Sequence, residues 1–253
     1  MTSQGGFMVL NESLIKKGTY FVDVKDFGAV GDGIHDDTNA FQSAIDTRKP
    51  VLISEPSNEF KITDSLIVYS GTILVDCLGG PNYYSDARVK LNYQPGIKKD
   101  MFILGEEGSN DYFYGVTIGV FSVTGTNGKH LFNLPKMSNL YLFDIKQFGG
   151  FDYAMVIDGY IDTNIDRCSF QGTIIASVHI IVSYHLSTTT TFNKCYFSHG
   201  DKGIIVEEGA INLLVFYNCV FESLNMLGDF SPENNITFTV KIFPEPIQDT
   251  LSI

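Results

Sequence analysis

The chain has 253 residues, with 29 acidic against 17 basic side chains and a net charge of −12. That balance argues against a nucleic-acid partner or an anionic membrane surface, and the length fits one elongated all-β domain. Twenty-four glycines, 20 phenylalanines, 13 tyrosines and no tryptophan suit a fold of many short strands and turns.

Residues 1–6 are polar, and the short run from Phe7 to Leu10 stops at Asn11 and Glu12. No signal peptide and no membrane-spanning segment is therefore expected. Residues 1–22 read as an N-terminal connector. Then comes the most informative stretch, residues 24–45. Asp26 to Gly33 carries three glycines in six positions (28, 31 and 33), which suits a tight loop. Asp36, Asp37 and Thr38 can each cap a helix N-terminus. Ala40, Phe41, Ala44 and Ile45 follow at helical spacing, and Arg48, Lys49 and Pro50 mark the stop.

The pattern DFGAVGDGxxDDTxAFQxAI resembles the opening of pectin-lyase-like right-handed parallel β-helices, above all bacteriophage tailspike depolymerases. The resemblance implies a helix lying as a lid over the first coil. It continues through Val51-Leu52-Ile53, Phe60-Lys61-Ile62, Leu66-Ile67-Val68, a turn at Ser70-Gly71, and Thr72-Ile73-Leu74-Val75, which follow the strand-turn rhythm of that family's first coils. After a turn at residues 78–81, Asn82 to Asp100 is polar and carries Arg88, Lys90, Lys98 and Lys99. It reads as a loop or an excursion from the coil.

From about residue 116 the sequence repeats loosely. Ile165-Asp166-Arg167-Cys168-Ser169-Phe170, Phe192-Asn193-Lys194-Cys195-Tyr196-Phe197 and Phe216-Tyr217-Asn218-Cys219-Val220-Phe221 share one pattern, with weaker copies at residues 120–123 and 144–147. Steps of 24, 23, 27 and 24 connect positions 121, 145, 168, 195 and 219. A second register joins Phe132, Ile157, Val182 and Val206, with steps of 25, 25 and 24. A period near 24 with paired strand segments is one turn of a parallel β-helix. Cys168, Cys195 and Cys219 should then form one interior ladder and Phe170, Phe197 and Phe221 another. The cysteines are buried apolar residues in that arrangement, not disulfides. Cys77 lies apart, and no CxxC pair suggests a metal.

Neighbours of an inward residue face outward. The second register therefore predicts an outer column of Asn133, Asp158, Ser183 and Glu207, with Glu208 and Asp201 close to its end. Asp158 and Glu207, two rungs apart, would have backbones about 9–10 Å apart, a separation suited to an inverting glycosidase. They are the expected catalytic pair, with Glu208 and Asp201 as alternates. Beside the cysteines lies the column Asp144, Arg167, Lys194 and Asn218. Arg167 or Lys194 could neutralise a uronate, or a base there could abstract its C5 proton in a lyase. A single aspartate makes a poor calcium site. Tyr160, Tyr184 and Tyr196 are the expected sugar-stacking rings. His199-Gly200-Asp201 is explained by a turn.

The expected fold is an all-β right-handed parallel β-helix with a short N-terminal capping α-helix. Residues 23–50 form the entry loop and cap, 51–243 the β-helix, and 244–253 a C-terminal tail. The family resemblance, not the residues, implies a tailspike-like protein that binds and depolymerises a bacterial surface polysaccharide. It implies a homotrimer attached to a virion tail or baseplate through the N-terminus, in a virion-tail or extracellular setting. Hydrolysis comes first because carboxylates outnumber bases. A non-catalytic glycan-binding spike and a polysaccharide lyase or epimerase are the alternatives. No cofactor or metal is expected.

Overall fold

A strand needs a hydrogen-bonding neighbour on each edge and an apolar face to bury. This chain meets both needs by coiling on itself. The computed structural model describes residues 20–76, 87–105, 113–181, 189–207, 213–230 and 236–242. Among these, every strand pairing is parallel and each strand stacks on the equivalent strand of the next turn. The result is a parallel β-solenoid of about six turns with a single α-helix, α1 (Thr38–Asp46), near its N-terminal end.

Helix α1 closes the open top of the coil. Phe41, Ala44 and Ile45 are buried at spacings of three and one, as the apolar pattern requires. Its two leading aspartates divide the work at the entry. Asp36 accepts from the Thr38 amide at 3.1 Å and its hydroxyl at 2.6 Å. Asp37, fully buried, turns back to accept from the Val30 amide (2.7 Å) and the Gly31 amide (3.2 Å), which ties the glycine loop to the helix. Phe41 packs edge-on against Phe60 at 5.1 Å and so joins the lid to the first coil. The first-coil strands are Val51–Leu52, Phe60–Ile62, Leu66–Val68 and Ile73–Val75, where the sequence places them.

Lower rungs have three faces. In one rung these are Thr163–Asp166, Ser169–Gln171 and Ala176–Ile181. The first bend is a single residue with left-handed φ, and the other two bends include such residues. Val120, Asp144, Arg167, Lys194 and Asn218 stack at the bend between the first and second faces. Gly149, Gly172, His199 and Ser223 do so at the second bend, and Gly115, Asn139 and Asp162 at the third. A left-handed non-glycine residue is uncommon. Its recurrence at fixed positions is how each rung turns without breaking the ladder.

The cysteine ladder is as expected: Cys168, Cys195 and Cys219 are buried, unbridged and stacked on adjacent rungs. Phe170, Phe197 and Phe221 stack beside them, with ring centroids 5.8 and 4.7 Å apart. The second register needs correction. Phe132 pairs with Met155, then Val178 and Ile204, while Ile157 belongs with Leu134, Ile180 and Val206. The true steps on this face are 23 (132 to 155), 23 (155 to 178) and 26 (178 to 204). An averaged period slips by two residues here, which keeps a side chain on the correct face but in the wrong column.

A second correction concerns residues 87–100. Lys90–Tyr93 is a strand of the sheet, paired with Phe60–Ile62 and with Thr117–Gly125, not a solvated excursion. Val89, Leu91 and Tyr93 are buried while Lys90 and Asn92 face outward. The alternation was legible, but the surrounding charges masked it. The connector through residue 19, Cys77, residues 82–86 and the tail from 244 lie outside the described residues.

Candidate functional site

Alternation on the first face sends Leu142, Ile165, Phe192 and Phe216 into the core, all fully buried. Their neighbours must then point outward. Tyr141, Asn164, Thr191 and Val215 form one outer column, and Phe143, Asp166, Asn193 and Tyr217 form the next. Together with Asn139 and Asp162 at the third bend, these residues, Phe143 excepted, line a groove of roughly 670 Å³ on the outside of the coil. The columns span three rung spacings, about 14 Å.

The groove is organised around Asp166. Its carboxylate accepts from Asn193 Nδ2 on the next rung (2.8 Å), from the Tyr141 hydroxyl on the previous rung (3.4 Å) and from Arg167 Nη1. The guanidinium is itself forked onto Asp144, with Nε to Oδ1 at 2.8 Å and Nη2 to Oδ2 at 2.7 Å. The Asp144 hydrogen bond raises the arginine further above its ordinary value, although burial opposes this. Burial, then the nearby Asp166 charge, push the Tyr141 phenol up, so it stays a neutral donor. Tyr141 stacks on Phe143 at 4.9 Å with nearly parallel rings, and Tyr217 is half exposed at the other end.

The third face carries a second polar cluster. Tyr153 lies between two imidazoles, 5.2 Å from His130 and 5.1 Å from His179. His130 Nδ1 is 2.7 Å from Asp100 Oδ1, Asn133 donates to Asp100 Oδ2 at 2.8 Å, and His179 Nε2 is 2.8 Å from Glu207 Oε1. Burial pushes the Asp100 carboxyl up, but the His130 and Asn133 interactions outweigh it and leave it below its ordinary 3.8. A depressed carboxyl contributes stability above that ordinary value and loses it as the pH falls through the folded one. Asp100→Asn is therefore expected to flatten the acid limb of stability below pH 3.8, read from urea midpoints across pH. An unchanged limb would mean the cluster contributes nothing.

The geometry of stacked parallel rungs behind a helical lid has a counterpart among known families. A family model described as Rhamnogalacturonase A/epimerase, pectate lyase-like, matches residues 21–241. The chain belongs to this pectate lyase-like family. No curated protein sequence matches it significantly. Among solved structures it is similar to the pre-mature gene product 12 of bacteriophage phi29, at 15% identity and TM-score 0.56, over 87% of this chain and 34% of that one. It is also similar to tailspike protein 3 of bacteriophage CBA120, at 15% identity and TM-score 0.58, over 85% of this chain and 38% of that one. The chain thus spans just over a third of the length of each, and the shared feature is the fold.

In this pectate lyase-like chain the expected site residues are scattered over several faces. Asp158 and Glu207 do share a column two rungs apart, with Ile181 between them, since Asp158 pairs with Ile181 and the Glu207 amide donates to Ile180 O. Pro135 heads that column, whereas Asn133 stacks with Val156 and His179. Asp201 precedes the strand Lys202–Val206 and Glu207 follows it, so the two stand at opposite ends, about 20 Å apart. Arg167 and Lys194 occupy the first bend, where Arg167 is engaged by Asp144 instead of leaving that carboxylate to a cation. No group of side chains suited to a metal occurs among the described residues. Tyr196 lies on the second face and donates to Glu222 Oε2 at 2.6 Å. Ser183, Tyr184 and Glu208, with the Tyr160 side chain, lie outside the described residues. No helix among the described residues is long and apolar enough to cross a membrane.

Sequence reasoning missed Tyr141, Asp162, Asn164, Asp166, Asn193 and Tyr217 as a set. The signal was present, because Asp166, Asn193 and Tyr217 occupy the same place in the three cysteine repeats. The search for paired carboxylates looked past a row of mixed polar types.

Proposed function

We propose that this chain is the β-helical part of a tailspike-like protein of a phage virion tail, which binds a bacterial surface polysaccharide, capsule or O-antigen, in the first-face groove. The observation that carries this is the groove itself. Fixed amides, hydroxyls and carboxylates alternate on rigid rungs, with Tyr141 and Tyr217 at its two ends. Such surfaces hold sugars by hydrogen bonds to hydroxyls and by ring contact with apolar sugar faces. Attachment through the N-terminus and assembly as a homotrimer complete this proposal.

The finer reading is glycosidic hydrolysis by Asp158 and Glu207. The strand that carries Asp158 ends at Ile161, immediately before groove residue Asp162. The two-rung offset gives a backbone separation of about 9–10 Å, compatible with an acid and a base flanking a water. One observation favours binding without cleavage: the Glu207 carboxylate is already hydrogen-bonded to His179, at 2.8 Å. The test is incubation with capsular and O-antigen polysaccharides, following reducing ends and the ultraviolet absorbance of unsaturated products together. Reducing ends alone are expected, and Asp158→Asn or Glu207→Gln should each lower their release at least about a hundredfold without loss of binding. Normal cleavage by both variants would remove the pair from the mechanism. Rising absorbance would replace hydrolysis with elimination, and binding alone would leave a non-catalytic spike.

A further inference from the structure

The groove's charge says which glycans it can take. Its lining includes two carboxylates, Asp162 and Asp166, and no lysine, arginine or histidine. Arg167, the cation that reaches Asp166 through Nη1, also binds Asp144 through Nε and Nη2, so one guanidinium is shared by two carboxylates of the protein. Lys194, exposed at the neighbouring bend, is not part of the lining. This deficit of cations in the lining stands in a chain whose net charge is −12.

Size makes the deficit effective. Three rung spacings, about 14 Å, leave a ligand in the groove within reach of both aspartates, given a screening length of about 8 Å at physiological salt. A repeating anion would face these charges with no compensating partner. An uncharged sugar faces the opposite situation. Carboxylates accept hydroxyl protons, the Asn164 amide can both donate and accept, and the Tyr217 ring offers an apolar face.

We infer that the groove selects an uncharged glycan and discriminates against polyuronates and other polyanionic polysaccharides. This rests on the groove being the glycan site. The discrimination is a matter of repulsion as much as of attraction, which is how specificity is commonly achieved.

The test is an array of bacterial capsular and O-antigen polysaccharides, each acidic member also presented with its carboxyl groups reduced to primary alcohols. Binding to neutral and carboxyl-reduced members is expected, at least tenfold tighter than to the matched acidic forms, with the gap narrowing as salt rises. Thr191→Lys, which adds a cation to the lining, should move the preference toward the acidic forms. Asp162→Asn with Asp166→Asn should narrow the gap. An acidic polysaccharide whose affinity falls on carboxyl reduction, with or without added calcium, would overturn the inference while leaving the groove as a glycan site. A preference untouched by either set of substitutions would also overturn it. Absence of binding to any member in either form would instead remove the glycan-binding reading, and this inference with it.

Discussion

Phe197→Ala is expected to lower stability by about 3–5 kcal/mol, measured as a fall in the denaturant midpoint with little change of slope. Phe197 is fully buried and touches four other rings. Phe221 below is nearly parallel at 4.7 Å, Phe170 above is at 5.8 Å, and Phe192 and Phe216 meet it edge-on at 5.8 and 6.1 Å. The cavity left by truncation cannot collapse easily, because the vertical spacing of rungs is fixed by their backbone hydrogen bonds, about 4.8 Å apart. Phe197→Leu refills part of that space and should recover a good share of the loss. A change below about 1 kcal/mol for the alanine variant would mean the ring ladder is not what holds these rungs together.

Gly150→Ala should be the most damaging single-methyl change in the coil, costing several kcal/mol or preventing recovery of folded protein. Gly150 has φ +80°, and a Cβ there would lie 2.1 Å from the carbonyl oxygen of Gly125 on the rung above. Left-handed backbone alone costs an L-residue roughly 1–2 kcal/mol. The steric overlap is additional, and it falls on backbone that is itself hemmed in, since a Cβ on Gly125 would meet Tyr93 O at 2.8 Å. The adjacent glycine is the control. Gly149 also has a positive φ, +59°, but nothing lies within 4 Å of a Cβ built there. Its column tolerates His199 and Ser223 on lower rungs. Gly149→Ala should therefore cost only about 1 kcal/mol. Equal thermal shifts for the two variants would contradict the close approach at Gly125.

These expectations separate what was legible in the sequence from what was not. The cap was legible because glycine loop, acidic helix start and apolar helical spacing all point the same way within 22 residues (24 to 45). The cysteine and phenylalanine ladders were legible because the same residue types recur beside the same left-handed bend. The third-face register was not, since Phe132, Met155, Val178 and Ile204 share no residue type and their spacing is uneven. The groove was hidden for a related reason. Asn164, Thr191 and Asn193 look individually like solvated surface, and only stacking on adjacent rungs turns them into a lining.

The uneven spacing has a location. From the column of Asp158, Ile181 and Glu207 to that of Thr163, Thr190 and Leu214, the chain spends four residues (159–162), eight (182–189) and six (208–213). On the rungs from Thr117 to Glu222 the first bend, by contrast, is one residue, at Val120, Asp144, Arg167, Lys194 and Asn218. Between residues 117 and 222, differences in rung length thus fall mainly between the third face and the first, with no change to the stacked scaffold. That connection can change in length turn by turn, much as hypervariable loops are exchanged on a constant framework, while the folding problem stays the same.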